Sequence, residues 1–135
     1  MRQIKFRAWD KENKRMVFIT GLNTLKTTGG LYLDSDVYYM SEPDMGRHYK
    51  TSLDFIKPMQ FTGLLDKNGK EVYEEDIITI SSTDGNYEVV WDDKHTQFSV
   101  KPEYEEEYYC SIGGIDMEAD LEVVGNIYEN KELLK

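Results

Sequence analysis

The sequence has few of the residues on which several common classes of site depend. Cys110 is the only cysteine, so no intramolecular disulfide can form, and a reducing compartment is expected. His48 and His95 are the only histidines. Zinc sites use three or four His, Cys or carboxylate ligands, and these three residues show no ligand pair at short spacing. We therefore expect no metal and no cofactor.

Positive charge is also scarce, with 16 basic against 26 acidic side chains and a net charge of −10. Proteins that hold nucleic acid need clustered Lys and Arg, so nucleic acid is not the expected partner. The charge is uneven, because residues 1–15 carry six cations and two carboxylates, a net of +4, which leaves −14 for the rest. This asymmetry favours contact between copies of the chain, and we expect a homo-oligomer.

Long apolar runs are missing as well. No stretch approaches the roughly 20 apolar residues of a membrane span, and residues 1–6 lack the apolar core of a signal peptide. A cytoplasmic location and no membrane partner are expected. Ten Tyr, five Phe and two Trp argue against disorder, because disordered chains are poor in aromatic residues.

What the sequence does contain is strand patterning. Residues 4–8 alternate, placing Ile4, Phe6 and Ala8 on one face and Lys5, Arg7 and Trp9 on the other. A polar turn at 10–14 and a strand at 16–19 complete a predicted N-terminal β-hairpin.

Residues 20–57 give a weaker pattern. Short strands are predicted at 31–33 and 37–40, around a turn at Asp34-Ser35-Asp36. The pattern then predicts a loop at 41–50 and either a strand or a helical turn at 51–56.

From Met59 the strand pattern is regular. Asn68-Gly69 is the preferred pair for a type I′ hairpin turn, because both residues tolerate positive φ. Five short strands at regular spacing over 61–128 predict a small SH3-like barrel. Asn130 is positioned to cap a short helical turn at 131–135. The chain is thus expected to be mainly β, with a hairpin subdomain over 1–57 and a barrel-like subdomain over 58–135.

Three segments together carry a family resemblance. They are Ile4–Lys11, Gln60–Ile78 with its central Asp66-Lys67-Asn68-Gly69-Lys70, and Glu122–Leu134 with its Val123-Val124-Gly125-Asn126-Ile127-Tyr128. In this order they resemble the YopX protein family of bacteriophages and prophages.

The resemblance implies a small, β-rich, oligomeric phage or prophage protein whose biochemical role is not established, and it supplies no catalytic residue. Two positions depart from the family pattern. Glu75 stands where Gly is usual, and Gly there would imply a positive φ. Lys131 stands where Pro is frequent.

Candidate catalytic groups are few. Asp92-Asp93 and Asp34-Ser35-Asp36 pair carboxylates, but both lie in predicted turns, where Asp is common for conformational reasons. Acidic neighbours raise the pKa of a thiol, which makes Cys110 a poor nucleophile. Gly29-Gly30 and Gly113-Gly114 lack the Lys and the spacing of a phosphate loop. We predict that the protein is not an enzyme, the alternative being a site assembled from Asp92, Asp93, His95 and Cys110.

The segment from Glu103 to Tyr109 is the most unusual. It reads either as a solvated strand or loop with its rings packed on the fold, or as an acidic, aromatic contact surface for a protein with a basic patch. The predicted interaction surface is Tyr104, Glu105, Glu106, Glu107, Tyr108 and Tyr109. The predicted function is a non-enzymatic phage accessory protein that binds protein and itself, the alternative being a nucleic-acid-associated or DNA-mimic regulator.

Overall fold

A computed structural model describes residues 3–26, 33–40, 49–52, 55–102, 110–114 and 121–134. The described chain is mainly β, as the sequence predicted, and its strands form two antiparallel sheets. The strands are β1 Phe6–Asp10, β2 Arg15–Lys26, β3 Leu33–Met40, β4 Tyr49–Ser52, β5 Pro58–Leu65, β6 Glu71–Tyr73, β7 Asp76–Ile80, β8 Asn86–Asp92, β9 Gln97–Pro102, β10 Cys110–Ser111 and β11 Leu121–Asn126.

The chain divides into two compact units, Ile4–Gln60 and Phe61–Lys135, the latter joined by Met1–Gln3. We call them the N-terminal and C-terminal units. The division lies within β5, whose first residues pair with β1 and whose later residues pair with β6. The division into subdomains 1–57 and 58–135 stays a prediction.

The sheet of the N-terminal unit has the strand order β4-β3-β2-β1-β5. The predicted N-terminal hairpin is confirmed, since β1 pairs antiparallel with β2 and sets Ala8 opposite Val17. One face of this sheet packs on the core of the unit, which is formed by buried side chains. They are Ala8, Val17, Val37 and Ile56, with the partly buried Ile19 and Tyr39 against them.

Two strands of this unit are longer than the sequence indicated. β2 continues to Lys26, with a register shift between Ile19 and Gly21. The turn predicted at Asp34–Asp36 is wrong, because these residues lie within β3 and pair with β2. Polar residues are tolerated in a strand whose backbone is paired, and all three pair with β2, while Asp36 also pairs with Ser52 of β4. The predicted loop residues Tyr49 and Lys50 belong to β4.

The C-terminal unit contains a five-stranded sheet of order β10-β9-β8-β7-β11. The predicted SH3-like barrel is wrong, because the sheet is open, with β10 and β11 at its two edges. Short strands at regular spacing occur in both open sheets and barrels. What decides between them is the pairing of the edge strands, which sequence spacing does not report.

The core of the C-terminal unit is larger and comes from nearly every one of its strands. It combines alternate residues of β7, β8, β9 and β11, which is why the strand pattern was readable in this part of the sequence. Its buried members are Val72, Ile78, Ile80, Val89, Phe98, Val100, Ile112, Leu121 and Val123.

The hairpin turn between β5 and β6 differs from the prediction. Gly69 has a φ of 80°, but Asn68 is not among the residues of positive φ, so the type I′ assignment is wrong. Gly69 N–H donates to Asp66 C=O at 2.9 Å, and Asp66 N–H donates to Lys70 C=O at 2.8 Å. This is the three-residue loop in which a turn is followed by a left-handed glycine.

The predicted C-terminal helical turn is confirmed as a single 3-10 turn, Lys131–Leu134. Its capping by the Asn130 side chain is wrong. Asn130 Oδ1 accepts from the backbone N–H of Asn126, at 3.3 Å, while the backbone C=O of Asn130 accepts from Leu133 N–H at 2.9 Å. Among the residues described above, no helix is long and apolar enough to cross a membrane.

Candidate functional site

The predicted contact surface Tyr104, Glu105, Glu106, Glu107, Tyr108 and Tyr109 lies outside the described residues, as does His48. The described ranges contain no group of three or more His, Cys, Asp or Glu side chains placed to hold a metal ion.

Two of the candidate catalytic residues do meet. Asp92 Oδ2 lies 2.7 Å from His95 Nδ1, and Asp92 Oδ1 accepts from the backbone N–H groups of Lys94 and His95. The hydrogen bond with the His95 ring is the main cause that lowers the pKa of Asp92. These bonds all lie within the β8–β9 turn, and Asp92 itself is the last residue of β8.

Cys110 is not brought to this pair. Its backbone pairs with Val100, which pairs with Val89, whereas Asp92 lies three residues further along β8. Three residues of strand span about 10 Å. The arrangement of Asp92 and His95 is therefore that of a polar turn.

A buried carboxylate dominates the β5–β6 turn. Asp66 is 6% exposed. Its Oδ1 accepts from Asn68 N–H at 2.8 Å and Lys70 N–H at 2.9 Å, and its Oδ2 accepts from Val123 N–H at 3.0 Å. Burial raises the pKa of Asp66, but the three backbone donors, Val123 foremost, outweigh it and lower the pKa.

The same turn closes the outer edge of β11. Lys67 N–H donates to Leu121 C=O at 2.9 Å, and Lys67 Nζ lies 2.6 Å from a Glu122 carboxylate oxygen. An uncovered edge strand is a template for pairing with another chain. Asp66 and Lys67 occupy the outward donor of Val123 and the outward acceptor of Leu121, so this part of the edge is not available for such pairing.

We call a set of hydrogen bonds that fixes the backbone around one polar side chain a lock, and that of Asp66 is the first. A second lock is centred on Glu75, whose φ is 66°. The positive φ that the family pattern implied at this position is confirmed. Glu75 N–H donates to Val89 C=O at 2.7 Å, its C=O accepts from Ile127 N–H at 3.1 Å, and its carboxylate accepts from the Tyr128 hydroxyl at 2.5 Å. The residue thus ties β8 to the segment after β11.

A third lock closes that segment on itself. Asn126 Oδ1 accepts from the N–H groups of Tyr128 and Glu129, both at 3.0 Å, and Asn130 N–H donates to Asn126 C=O. Gly125 leaves the room this requires, since a Cβ there would lie 2.6 Å from Asn130 Cγ. The motifs that carry the family resemblance therefore account for three structural locks.

One surface of the N-terminal unit, rich in aromatic residues and Met, lies on the sheet face opposite its core. Register places Trp9 opposite Met16 and Phe18 opposite Met40. Phe18 and Tyr38 are each 39% exposed. The Tyr38 ring lies over Gly21, where a Cβ would be 3.4 Å from Tyr38 Cδ2. We call this surface, formed by Trp9, Met16, Phe18, Tyr38 and Met40, the outer strip.

The core-facing side of the same sheet carries a groove of about 550 Å³. Tyr39 and Ile56 belong to the core behind it, Phe55 is 76% exposed, and Tyr39 stacks on Tyr49 with ring centroids 5.4 Å apart. Burial raises the pKa of Tyr39, and the nearby Asp10 carboxylate adds to the rise. The groove is lined by Asp10, Lys11, Glu12, Asn13, Tyr39, Thr51, Phe55 and Ile56.

The polar side of this groove is a turn held by one carboxylate. Asp10 Oδ1 accepts from Glu12 N–H and Asn13 N–H, both at 3.1 Å, and its Oδ2 accepts from Asn13 Nδ2 at 2.9 Å and Arg15 Nε at 3.4 Å. Burial raises the pKa of Asp10, but these bonds outweigh it, so the pKa is lowered and the carboxylate is ionised at neutral pH.

Neither surface of the N-terminal unit was identified from the sequence. Trp9 was assigned to the face opposite Ala8, and register agrees. Placing the other members together required the pairing of β2 with β3 and its register shift, which no local pattern indicated. The groove needed the pairing of β3 with β4, which lay in a predicted loop.

Comparison with known proteins agrees with this architecture. No curated protein matches the chain. Among solved structures, the crystal structure of protein EF1440 from Enterococcus faecalis is similar, with 24% sequence identity, a TM-score of 0.59 and coverage of 100% of both chains. At this identity the likeness shows the fold alone. The model of the YopX protein family matches residues 5–135, and the chain therefore belongs to the YopX protein family.

Proposed function

We propose that this protein is a non-enzymatic binding module that associates with itself and with a second protein, as an accessory protein of a phage or prophage in the cytoplasm of its host. The observation that carries the proposal is the outer strip. This surface is rich in aromatic residues and Met, and the other face of the same antiparallel sheet packs on the core of the unit.

Composition supports an interface on the outer strip. Aromatic residues and Met are enriched in protein–protein interfaces, and adjoining exposed apolar side chains mark binding surfaces. The five members are neighbours by strand register, with Phe18 and Tyr38 exposed and the other three partly buried, and the buried Arg7 lies opposite Phe18 on the same face. Met also adapts to partners of different shape, because its side chain is unbranched and polarizable.

Charge supports a second copy as one partner. Lys50 lies opposite Tyr38 on the same face and is exposed. Residues 1–15 carry a net charge of +4 and the rest of the chain −14. The Lys50 cation beside the outer strip attracts an acidic surface, which another copy supplies. The acidic segment Tyr104–Tyr109 in turn favours a host or phage protein with a basic patch.

The test is the molar mass in solution. Size-exclusion chromatography with light scattering should show an oligomer for the wild-type chain, and a smaller species for the double variant Phe18→Ser/Tyr38→Ser. Leu65→Ser is the matched control, because Leu65 is 52% exposed but belongs to the C-terminal unit. A wild-type monomer at every concentration, together with no retained protein in affinity purification from lysogenic cells, would contradict the proposal.

The outer strip also supports a second candidate, association with single-stranded nucleic acid. Aromatic side chains on a sheet stack with bases, and neighbouring cations meet phosphates. The net charge of −10 opposes this function and suits its variant, in which acidic groups mimic DNA. Gel shifts at low and moderate salt test binding, and competition with DNA for a nuclease tests mimicry.

A further inference from the structure

We propose that the groove of the N-terminal unit is a binding site for one basic side chain, Arg or Lys, presented by a protein partner. The inference rests on the proposed function, because it takes protein binding as given and names the chemistry that this second surface recognises. The groove lies on the face opposite the outer strip, since Asp10 shares the face of Ala8, and Thr51 is paired with Val37. The two surfaces can therefore be disabled separately.

The size and lining of the groove fit a long side chain with an apolar stem. A volume of about 550 Å³ lies within the range of small-ligand sites. Ile56 and the Tyr39 ring offer apolar contact, and Phe55 stands at the groove with three quarters of its surface exposed. The (CH₂)n stem of Lys or Arg packs along apolar surface while its head stays near water.

The aromatic side of the groove favours a cation at the end of that stem. The faces of Tyr and Phe rings carry negative potential and attract an ammonium or guanidinium group. Tyr39 is braced by its stacking on Tyr49, so its ring is held in place before a ligand arrives. Preorganised aromatic contacts bind without the cost of ordering the side chain.

The polar side of the groove contributes the Glu12 carboxylate. The Asp10 carboxylate is ionised, but Arg15 Nε already donates to it at 3.4 Å, and Lys11 is the one cation of the lining. An anion is disfavoured, because the N–H groups of Glu12 and Asn13, which could have received it, already donate to Asp10.

The probe is a pair of capped tripeptides, acetyl-Gly-Arg-Gly-amide and its neutral counterpart acetyl-Gly-Gln-Gly-amide, titrated into the full chain. Binding is followed through the NMR resonances of the Tyr39 and Phe55 rings. We expect the Arg peptide to shift these resonances and to bind about fivefold more tightly than the Gln peptide, the scale of an exposed cation–π contact joined to an ion pair.

Four variants test whether the Arg peptide binds in the groove. Phe55→Ala and Glu12→Gln should each weaken Arg-peptide binding about two- to fivefold, because each removes one attractive group. Lys11→Gln should strengthen binding by a similar factor, since it removes the opposing charge. Phe18→Ala, on the outer strip, should leave binding unchanged. All four side chains are exposed, so folding is expected to be preserved.

Equal binding of the Arg and Gln peptides, or no response to Glu12→Gln and Lys11→Gln, would overturn the basic-side-chain site. That result would leave the proposed function standing, since self-association is read from molar mass and depends on Phe18 and Tyr38. Conversely, a monomeric chain that still selects Arg over Gln would retain the groove and contradict the role of the outer strip.

Discussion

The two units of this chain are held together in different ways. The C-terminal unit combines a nine-residue apolar core with three polar locks, centred on Asp66, Glu75 and Asn126. Among its described residues the N-terminal unit has a core cluster of four buried apolar residues, and it carries the outer strip and the groove. In the C-terminal unit polar side chains join separate strands and segments, whereas the Asp10 carboxylate of the N-terminal unit holds only its own turn.

This difference assigns different meanings to the family motifs. Most of the motif residues lie in the C-terminal unit, where the structure gives them roles in turns and edge closure. A buried carboxylate that accepts three backbone hydrogen bonds is a structural group. The family segment Ile4–Lys11, by contrast, contributes Trp9 to the outer strip and Asp10 and Lys11 to the groove.

The chain carries a natural reporter for each unit. Trp9 belongs to the N-terminal unit and Trp91 to the C-terminal unit. In a Trp9→Phe background, urea unfolding followed by fluorescence reports the C-terminal unit, and in a Trp91→Phe background it reports the N-terminal unit. Substitutions in the locks should shift the urea unfolding curve read at Trp91. An equal shift of the curve read at Trp9 would show that the two units unfold together.

The largest effect is expected from Asp66→Ala. The change removes an acceptor from three backbone N–H groups, of which Val123 N–H is buried, and we expect a loss of about 3 kcal/mol from the free energy of unfolding. Unfolding in urea, read at Trp91, measures it. The exposed Lys70→Ala in the same turn is the control, with a change within about 0.5 kcal/mol. A loss below about 1 kcal/mol for Asp66→Ala would show that the lock is not needed.

The same carboxylate gives the C-terminal unit a dependence on pH. The folded-state pKa of Asp66 lies below its ordinary value of 3.8. Its contribution is therefore present above that value and is lost as the pH falls through the folded-state pKa. Below about pH 4 the wild-type stability should fall more steeply than that of Asp66→Asn. Urea titrations at several pH values measure both slopes, and equal slopes would contradict the assignment.

Gly125→Ala should cost about 2 kcal/mol, the scale of overpacking a closed site, because its Cβ would lie 2.7 Å from Asn130 Cβ. Asn130→Gly tests the cause, since it removes the obstructing side chain. In that background the same Gly125→Ala change should cost far less, and the two effects should be non-additive. Additive losses of stability in this double-mutant cycle would show that the cost of Gly125→Ala does not come from contact with the Asn130 side chain.

The sequence predicted the C-terminal strands well because alternate residues there face one core. Ile78, Ile80, Val89 and Val123 follow that rule. The prediction was wrong at Asn68, where the Asn-Gly pair suggested a two-residue turn. The Asp66 side chain instead fixes a three-residue loop through Asn68 N–H and Lys70 N–H. The turn preference of an Asn-Gly pair takes no account of a carboxylate two residues earlier in the chain.

The candidate sites were less accessible to sequence reasoning. The outer strip joins residues from β1, β2 and β3, and β3 contains Asp34 and Asp36, which favour turns locally. Backbone pairing with β2 overrides that preference. The groove depends on Phe55 and Thr51 meeting the 10–13 turn, a non-local contact with no periodic signature. The predicted segment Tyr104–Tyr109 lies beyond the described ranges and stays a prediction.

A smaller effect, of about 1 kcal/mol, should separate backbone strain from side-chain bonding at Glu75. Glu75→Ala loses the bond from the Tyr128 hydroxyl but keeps a Cβ at a φ of 66°, whereas Glu75→Gly loses the bond and relieves the strain. We therefore expect the Gly variant to be more stable than the Ala variant in urea. Tyr128→Phe removes the bond alone. A Gly variant less stable than Ala would mean that this backbone is not strained.

The smallest effect expected is a gain of about 0.5 kcal/mol from Lys131→Pro. Lys131 is the first residue of the 3-10 turn, a position that suits the fixed φ of Pro, and the restriction acts mainly by lowering the entropy of the unfolded chain. Glu132→Pro is the matched control. It places Lys131 before a Pro, which disfavours helical backbone there, so it should destabilise. Urea midpoints at Trp91 distinguish the two. A gain in stability for both variants would show that the turn is not fixed in the folded chain. The part of the C-terminal unit that the locks hold in place would then end at Asn130.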